Sequence, residues 1–494
     1  MAITSPTIRI DPARVIDEVD PRIYSGFTEH MGRCIYGGIY DPENKNGLAD
    51  EKTGFRKDVM DALKALKIPV VRYPGGNFVS TYRWQDGVGP RELRPRRPEL
   101  AWLTEESNQF GTGVAHLNRF EAISSNTYYA NLRKKNGHQE PYGVKYWALG
   151  NEVWGPWQVG QMESQDYAKK AFQWAKALRL LDPTIKLISC GETGFADWDR
   201  VTLRKLAPVV DFHSIHLYTV SEGKHLVNVM GPAAAEKGLE ITRSLIDLAK
   251  IEGGLRKDLT VCFDEWNVWD PVRAPGEKGA EEHYDLSDAL AVASWLNVFV
   301  RKADIVKIAC IAQLLRLPVV FSNRRASLCI LVIVVLIFPS FSQTTYYPLQ
   351  LFSNLMRGSS LSVHVDNPAS TLTYAGPTVP KFVQDLNIST PDSAKLTKFV
   401  DVSAVLAITG QGKEIRIAIV NRSDDTDFKV PILFGPQVSV KEDFVVHEVW
   451  HEDLKASNGF DGEKVNTVIK NERFKGNYEL KKHSFQILVF QVVE

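Results

Sequence analysis

Residues 144–152 read VKYWALGNE, an apolar, aromatic run that breaks at Gly-Asn and ends on an acid, Glu152. Such a run, closed by a turn signal, predicts a short buried strand. An acid placed straight after it is a helix cap, a surface group or a group held at a strand end for chemistry. The segment that follows, ESQDYAKKAFQWAKALRLL (163–181), has helical periodicity and stops at Asp-Pro. Strand and helix make one β/α unit. The fold then depends on whether the chain repeats it.

It repeats in both directions. RIYSGFTEH (22–30) precedes the amphipathic GFRKDVMDALKALK (54–67), with Phe55, Val59, Leu63 and Leu66 on one face. IPVVRYPGGN (68–77) is a strand broken by Pro-Gly-Gly. TIKLISCGE (184–192) is followed by a helix near 197–207, and VVDFHSIHLY (209–218) by one near 232–251. LTVCFDEWNVW (259–269) leads into the helix LSDALAVASWLNVFVRKA (286–303), then DIVKIACIAQ (304–313). Apolar strands separated by helices predict a parallel sheet covered on both faces. Seven such strands can be read, one short of a closed (β/α)₈ barrel, and the gap falls between residues 77 and 144.

After Tyr347 the pattern changes to alternating strands with turn residues between them, among them SLSVHVDN, FVDVSAVLAITG and HSFQILVFQVV. These predict an all-β sandwich. The expected division is a catalytic barrel over 19–356 and a sandwich over 357–494, with 1–18 adding a strand to the sandwich.

Composition narrows the partners. The 59 basic and 59 acidic residues cancel, so there is no bulk charge to hold nucleic acid or an anionic membrane. The start, MAITSPTIRIDPARVIDEVDP, has no basic-then-apolar leader, which predicts a cytoplasmic protein. The five cysteines are scattered without paired spacing, so neither a disulfide framework nor a metal site is expected, and no cofactor. The run LCILVIVVLIF (328–338) is shorter than the ~20 residues a helical membrane span needs.

The strand ends carry Glu29 and His30; Arg72 and Asn77; Asn151 and Glu152; Glu192; His216 and Tyr218; Asp264, Glu265 and Trp266; and Gln313. In parallel β/α barrels these ends form the active site. Two carboxylates there, Glu152 and Glu265, suit glycoside hydrolysis, which needs one proton donor and one ionised nucleophile or base. Taken singly each residue has a plainer reading: Glu152 as a cap, Arg72 as a structural ion-pair partner, Trp266 as packing, His216 as a hydrogen-bonded strand residue. Chance gathering of all of them at strand ends is the less economical account.

The stretches FTEHMGRCIYGGIYD (27–41), VVRYPGGNFVS (70–80), YWALGNEVWGPWQVG (146–160), FDEWNVW (263–269) and QTTYYPLQLFS (343–353) resemble glycoside hydrolase family 51, chiefly α-L-arabinofuranosidases, over nearly the whole chain. The resemblance implies a (β/α)₈ barrel with a C-terminal β-sandwich, a retaining double displacement, no metal, arabinose-containing oligosaccharides as substrates and a homo-oligomer. Residue by residue it implies Glu152 as general acid/base and Glu265 as nucleophile. It implies Glu29, Arg72, Asn77, Asn151, Tyr218 and Gln343 as groups that hold the furanose or orient the carboxylates; His216 and Trp266 complete the candidate substrate-binding set. Rival readings are another retaining glycosidase of this barrel type (a β-xylosidase or endoglucanase) and an inactive carbohydrate-binding variant.

Two stretches depart from the family. Only GVAHLNRFEAISS (113–125) stands where the family has a helix, the third barrel strand and another helix. Residues 315–342, LRLPVVFSNRRASLCILVIVVLIFPSFS, replace the family's loop; nearly all of 326–342 is encoded by codons with a pyrimidine at the second position. Such a tract reads as translated intron end, and 113–125 as a wrongly joined exon boundary.

Overall fold

A computed structural model of the chain describes residues 5–44, 47–110, 126–221, 223–270, 282–314, 329–330, 334–335, 341–367, 373–374, 376, 397–459 and 462–493. After the strand β1 (Thr7–Glu18), seven parallel strands form one sheet: β2 (Ser25–Phe27), β3 (Val71–Arg72), β4 (Tyr146–Ala148), β5 (Lys186–Ser189), β6 (Phe212–Thr219), β7 (Thr260–Val268) and β8 (Val306–Ala312). Their order is β3-β2-β8-β7-β6-β5-β4. Strands β3 and β4 are therefore the two edges, with no ladder between them among the described residues. The sheet nonetheless curls until those edges meet through side chains: Arg72 beside the β3 edge donates from Nη2 to Asn151 Oδ1, just past β4, at 2.6 Å.

The strand predicted at 68–77 shrinks to two residues because Pro74 brings no donor and Gly75 and Gly76 turn the chain at φ of +46° and +62°. The stretch 113–125 lies outside the described residues. So does most of 315–342, including most of the run 328–338, expected as an excursion near the top of the barrel. Within it, Cys329–Ile330 pairs antiparallel with Val334–Val335.

Helices cover the outer face. Ser164–Leu181 buries Tyr167, Ala168, Ala171, Ala175 and Leu178, a three-to-four spacing that lays one stripe on the sheet. Leu286–Arg301 differs: every residue from Leu286 to Val300 is buried. One side packs on Phe263 and Trp266 of β7, whose rings lie 5.1–5.7 Å from those of Trp295 and Phe299. Its other side meets the C-terminal domain, where Asn297 Nδ2 donates to Asp401 Oδ2 at 2.8 Å and Arg301 Nη1 to Asp401 Oδ1 at 2.9 Å. A helix this apolar, with its few polar residues buried as well, is enclosed on all sides.

The C-terminal domain is built from β9 (Ser359–Asp366), β10 (Val400–Thr409), β11 (Gly412–Asn421), β12 (Phe428–Phe434), β13 (Asp443–Val449), β14 (Thr467–Arg473), β15 (Asn477–Leu480) and β16 (Ser484–Val493). The strand order is β14-β13-β16-β11-β10-β9-β1-β12-β15, so the N-terminal strand lies inside this sheet, antiparallel to β9 and parallel to β12. Phe444 on β13 and Tyr478 on β15 stack edge-on at 6.0 Å although their strands stand near opposite ends of that order. The sheet thus folds over on itself around Ile8, Ile417, Val430 and Phe490. Among the described residues, no helix is long and apolar enough to cross a membrane.

Candidate active site

The C-terminal ends of the parallel strands converge on two carboxylates. Glu265 is buried near the end of β7. Strand β7 cannot present both Asp264 and Glu265 to one side while it alternates strictly, and it does not. Ser214 and His216 of β6 pair with Cys262 and Glu265, and Ala309 and Ile311 of β8 with Phe263 and Trp266. Two residues on each neighbour face three on β7, which is a bulge. It turns Asp264 and Glu265 both inward and Phe263 and Trp266 both outward.

Glu265 is held on both oxygens. Arg72 Nη1 donates to Oε1 at 2.5 Å and Tyr218 Oη to Oε2 at 2.9 Å. Arg72 itself lies over the Phe27 ring, 4.2 Å from its centroid, and its Nε is 3.3 Å from Asp264 Oδ2. Burial would raise the Asp264 carboxyl, but Arg72, His216 and Ser214 outweigh it and hold the group down at about 2. An always-charged guanidinium between two acids balances the buried charge.

Glu152 sits differently. It leaves β4 through Gly150, at φ +127° with Val153 only 2.9 Å from where a Cβ would stand, so glycine is required there. Glu152 itself is left-handed at φ +43°, a strained setting for a residue with a side chain. Its Oε2 accepts from Trp157 Nε1 at 3.1 Å and its Oε1 lies 3.0 Å from His216 Nδ1. His216 spans the pair: Nδ1 is also 3.5 Å from Glu265 Oε2, and Nε2 is 3.3 Å from Asp264. Burial lowers the affinity of His216 for a proton, yet Glu265, Asp264 and Glu152 more than compensate and lift it to about 10. Ligating atoms of Glu152, His216 and Glu265 all lie within 4.8 Å of one another. These three could bracket a cation, a grouping that sequence spacing did not reveal. The Arg72 guanidinium already supplies positive charge to Glu265.

Glu29 forms the opposite wall. Its carboxylate accepts from Phe78 N (3.0 Å), Trp102 Nε1 (3.1 Å) and Gln313 Nε2 (3.2 Å). Burial and the nearby Glu265 charge push it up to about 8. Gly76 makes room for it, since a Cβ there would lie 2.1 Å from the Glu29 carboxyl carbon. Asn77 Oδ1 accepts from Asn151 Nδ2 at 3.5 Å, tying the 3₁₀ turn Asn77–Ser80 to the acid's neighbour.

The fold therefore brings together Glu29, Arg72, Asn77, Asn151, Glu152, His216, Tyr218 and Glu265. Trp266 is not among them, and among the described residues Gln343 has no hydrogen bond to any of them. Trp266 is fully sealed from solvent between Trp295 and Phe299, so it cannot touch a sugar. Gln343 accepts from Tyr284 N at 2.8 Å and donates to Glu282 O at 3.3 Å, which makes it a brace for the chain after β7. Sequence reading missed Trp102 and Trp157. Trp102 stands alone in a polar loop and Trp157 belongs to the WGPW run just after Glu152, both usable signals.

Comparisons with known proteins identify the family. The family model for the α-L-arabinofuranosidase C-terminal domain matches residues 264–484. That for the α-L-arabinofuranosidase 1 domain matches 62–122 and 114–228, two pieces that overlap at 114–122. An α-L-arabinofuranosidase C of Emericella nidulans is 47% identical over 527 residues, covering 98% of this chain and 97% of that protein. An intracellular exo-α-(1→5)-L-arabinofuranosidase of Halalkalibacterium halodurans is 32% identical over 93% of this chain and 92% of its own. The solved GH51 α-L-arabinofuranosidase of Thermotoga petrophila superposes with a TM-score of 0.83 at 32% identity, over 99% of this chain and 100% of that one. Likeness of this extent, running through both domains and through the strand ends that hold the carboxylates, establishes that the chain belongs to the family 51 α-L-arabinofuranosidases.

Proposed function

We propose that the protein is a retaining glycoside hydrolase that removes terminal, non-reducing α-L-arabinofuranosyl residues from arabinan- or arabinoxylan-type oligosaccharides. The observation that carries this reading is the facing of Glu152 and Glu265, with oxygens inside 4.8 Å. Retaining enzymes hold their carboxyl groups about 5–5.5 Å apart, whereas inverting ones leave room for a water between them. The choice of sugar rests on the family.

Glu265 Oε attacks the anomeric carbon while the bond from that carbon to the leaving oxygen breaks and Glu152 gives that oxygen its proton. Water then attacks the same carbon, its proton passing to Glu152, and the ester to Glu265 breaks, restoring both groups. Arg72 and Tyr218 fix the nucleophile's oxygens. Asn151, anchored by Arg72, is placed to bond a sugar hydroxyl beside the reacting carbon.

The scaffold is a (β/α)₈ barrel lacking its third strand. Three observations support this: the unpaired edges at β3 and β4, the matched 1-domain pieces that meet at 114–122, and an alignment of 527 positions against a 494-residue chain. Transcript sequence across codons 107–127 and 312–345 tests whether the strand is absent from the gene product. For the activity, 4-nitrophenyl α-L-arabinofuranoside and β-D-xylopyranoside are compared, with NMR of the first sugar released. Preference for the arabinoside with the α-anomer formed first is expected. A xyloside preference, or the β-anomer first, overturns the reading.

A further inference from the structure

Trp266 is sealed away from the cleft, and the mechanism gives it no task. Its indole N–H is buried without a hydrogen-bond partner among the described residues, so the residue does not serve by its polarity. Its ring lies 5.7 Å from that of Trp295 and 5.1 Å from that of Phe299. Phe263 lies 5.4 and 5.3 Å from the same two rings. In a strictly alternating strand, residues three apart face opposite sides of the sheet. Here both side chains meet one pair of rings on one side, and all four rings are fully buried.

The inner face of β7 mirrors this. Asp264 and Glu265 are consecutive, yet Arg72 reaches both, with Nε 3.3 Å from Asp264 Oδ2 and Nη1 2.5 Å from Glu265 Oε1. His216 likewise stands 3.3 Å from Asp264 and 3.5 Å from Glu265. The bulge is gripped from two faces, by charge inside the barrel and by rings outside it. Plain alternation after Asp264 would turn Glu265 toward the helix and out of the cleft. The ring side has firm support. Besides the bonds of Asn297 and Arg301 to Asp401, Ser403 Oγ donates to Asn297 Oδ1 at 2.6 Å and Arg422 Nε to Ser294 Oγ at 3.2 Å. On the barrel side Trp295 Nε1 donates to Thr219 Oγ1 of β6 at 3.4 Å. The helix cannot draw back from β7 without breaking bonds.

Resting on the hydrolase reading above, we infer that Trp266 is a positioning residue for the nucleophile: the bulk of its ring, held against Trp295 and Phe299, keeps β7 bulged and Glu265 turned into the cleft. A smaller side chain leaves space beside those rings. Strand β7 then shifts outward into it, and the Glu265 carboxylate moves off its line to the anomeric carbon. Small displacements of a reacting group are costly in rate.

A dinitrophenyl 2-deoxy-2-fluoro-α-L-arabinofuranoside reads the nucleophile alone. A Glu265 oxygen bonds the anomeric carbon as dinitrophenolate leaves with the bonding electron pair, and no proton from Glu152 is needed. Labelling rates are measured for the parent chain, Trp266→Leu and Trp266→Phe well below each melting midpoint. Beside them stand kcat/KM on 4-nitrophenyl α-L-arabinofuranoside and on an α-1,5-linked arabinobiose. Trp266→Leu is expected to slow labelling by about ten- to 10²-fold and to lower kcat/KM on both substrates by the same factor. Trp266→Phe keeps a ring and loses no hydrogen bond, so it should stay within about threefold. A lowered melting temperature with labelling unchanged would mean a structural role only. A loss confined to arabinobiose would mean an effect through Glu152, and a phenylalanine variant as slow as the leucine one would mean that ring bulk is not what acts. Each of these overturns the inference. Should Trp266→Leu not fold, Phe299→Leu, which opens the same space from the helix side, is read in the same way. A parent chain that is neither labelled nor active refutes the hydrolase reading itself, an outcome separable from the others.

Discussion

The two glutamates proposed as acid and nucleophile are one residue type in two unlike settings. Glu265 stands on β7, paired on both sides, buried, and gripped by Arg72 and Tyr218. Glu152 follows β4, an edge strand, with a left-handed backbone and with His216 and Trp157, the latter half exposed, as the partners of its two oxygens. A nucleophile must keep one position and one charge, so it belongs in the interior of the sheet. An acid that gives up a proton and takes it back needs access to water and a bond it can loosen. The contrast also shows where the chain is weakest: the acid, not the nucleophile, borders the gap between β3 and β4.

Removing the nucleophile should have the largest effect. Glu265→Ala is expected to lose at least about 10⁴-fold in kcat on every arabinoside, because no covalent intermediate can form. Residual turnover common to both substrates above that level would break the assignment. Glu152→Ala should separate substrates instead. Loss on arabinobiose should be about 10²–10⁴-fold, while 4-nitrophenyl arabinofuranoside, whose leaving group needs little proton assistance, retains far more. Equal losses would remove the distinction between the two settings.

If the edge at β4 is what sets Glu152 apart, inserting the relatives' segment between residues 112 and 126 should change the acid's surroundings and not the nucleophile's. Each buried backbone group left unpaired at an edge costs about 1–3 kcal/mol, against a typical net stability of about 5–15 kcal/mol. The restored chain should be the more soluble and melt higher, measured by calorimetry and soluble yield. An unchanged melting temperature would mean that the curled seven-stranded sheet is sufficient.

Glu29→Gln tests the electrostatics of the nucleophile's wall. Glu29 is raised in the fold from 4.5 to about 8, so its contribution is complete below pH 4.5 and is lost as pH rises through 8. The glutamine variant, neutral throughout, should therefore gain melting temperature on the parent between pH 5 and 9. Parallel curves would show that the Glu29 carboxyl is not held neutral. The smallest effect expected is that of Trp157→Phe, which removes one hydrogen bond to Glu152: about three- to tenfold in kcat on arabinobiose, and less on the nitrophenyl substrate.

Most of the strand-end cargo was legible because a parallel β/α repeat has a readable period and a fixed polarity: whatever follows an apolar strand lies at the catalytic face. That logic located Glu152, Glu265, Arg72, Asn151, His216 and Tyr218. It failed at Trp266, because a bulge on β7 breaks the two-residue alternation and turns that side chain to the helix Leu286–Arg301. Gln343 came from the family resemblance and not from the strand pattern, and its partners, Tyr284 N and Glu282 O, were not legible in the motif. It was silent on Trp102 and Trp157, which reach the carboxylates from loops that have no period.

By itself, then, the sequence determined the β/α repeat, the change to alternating strands after it and which acids stand at strand ends, since these depend on local periodicity and on residue chemistry. Tertiary structure alone decided that one acid is held by an arginine and a tyrosine and the other by a histidine and a tryptophan, that Glu29 has three donors, and that the sheet's edges are joined through Arg72 and Asn151. Those properties depend on burial, on bulges and on contacts between residues dozens to hundreds of positions apart, and no local pattern encodes them.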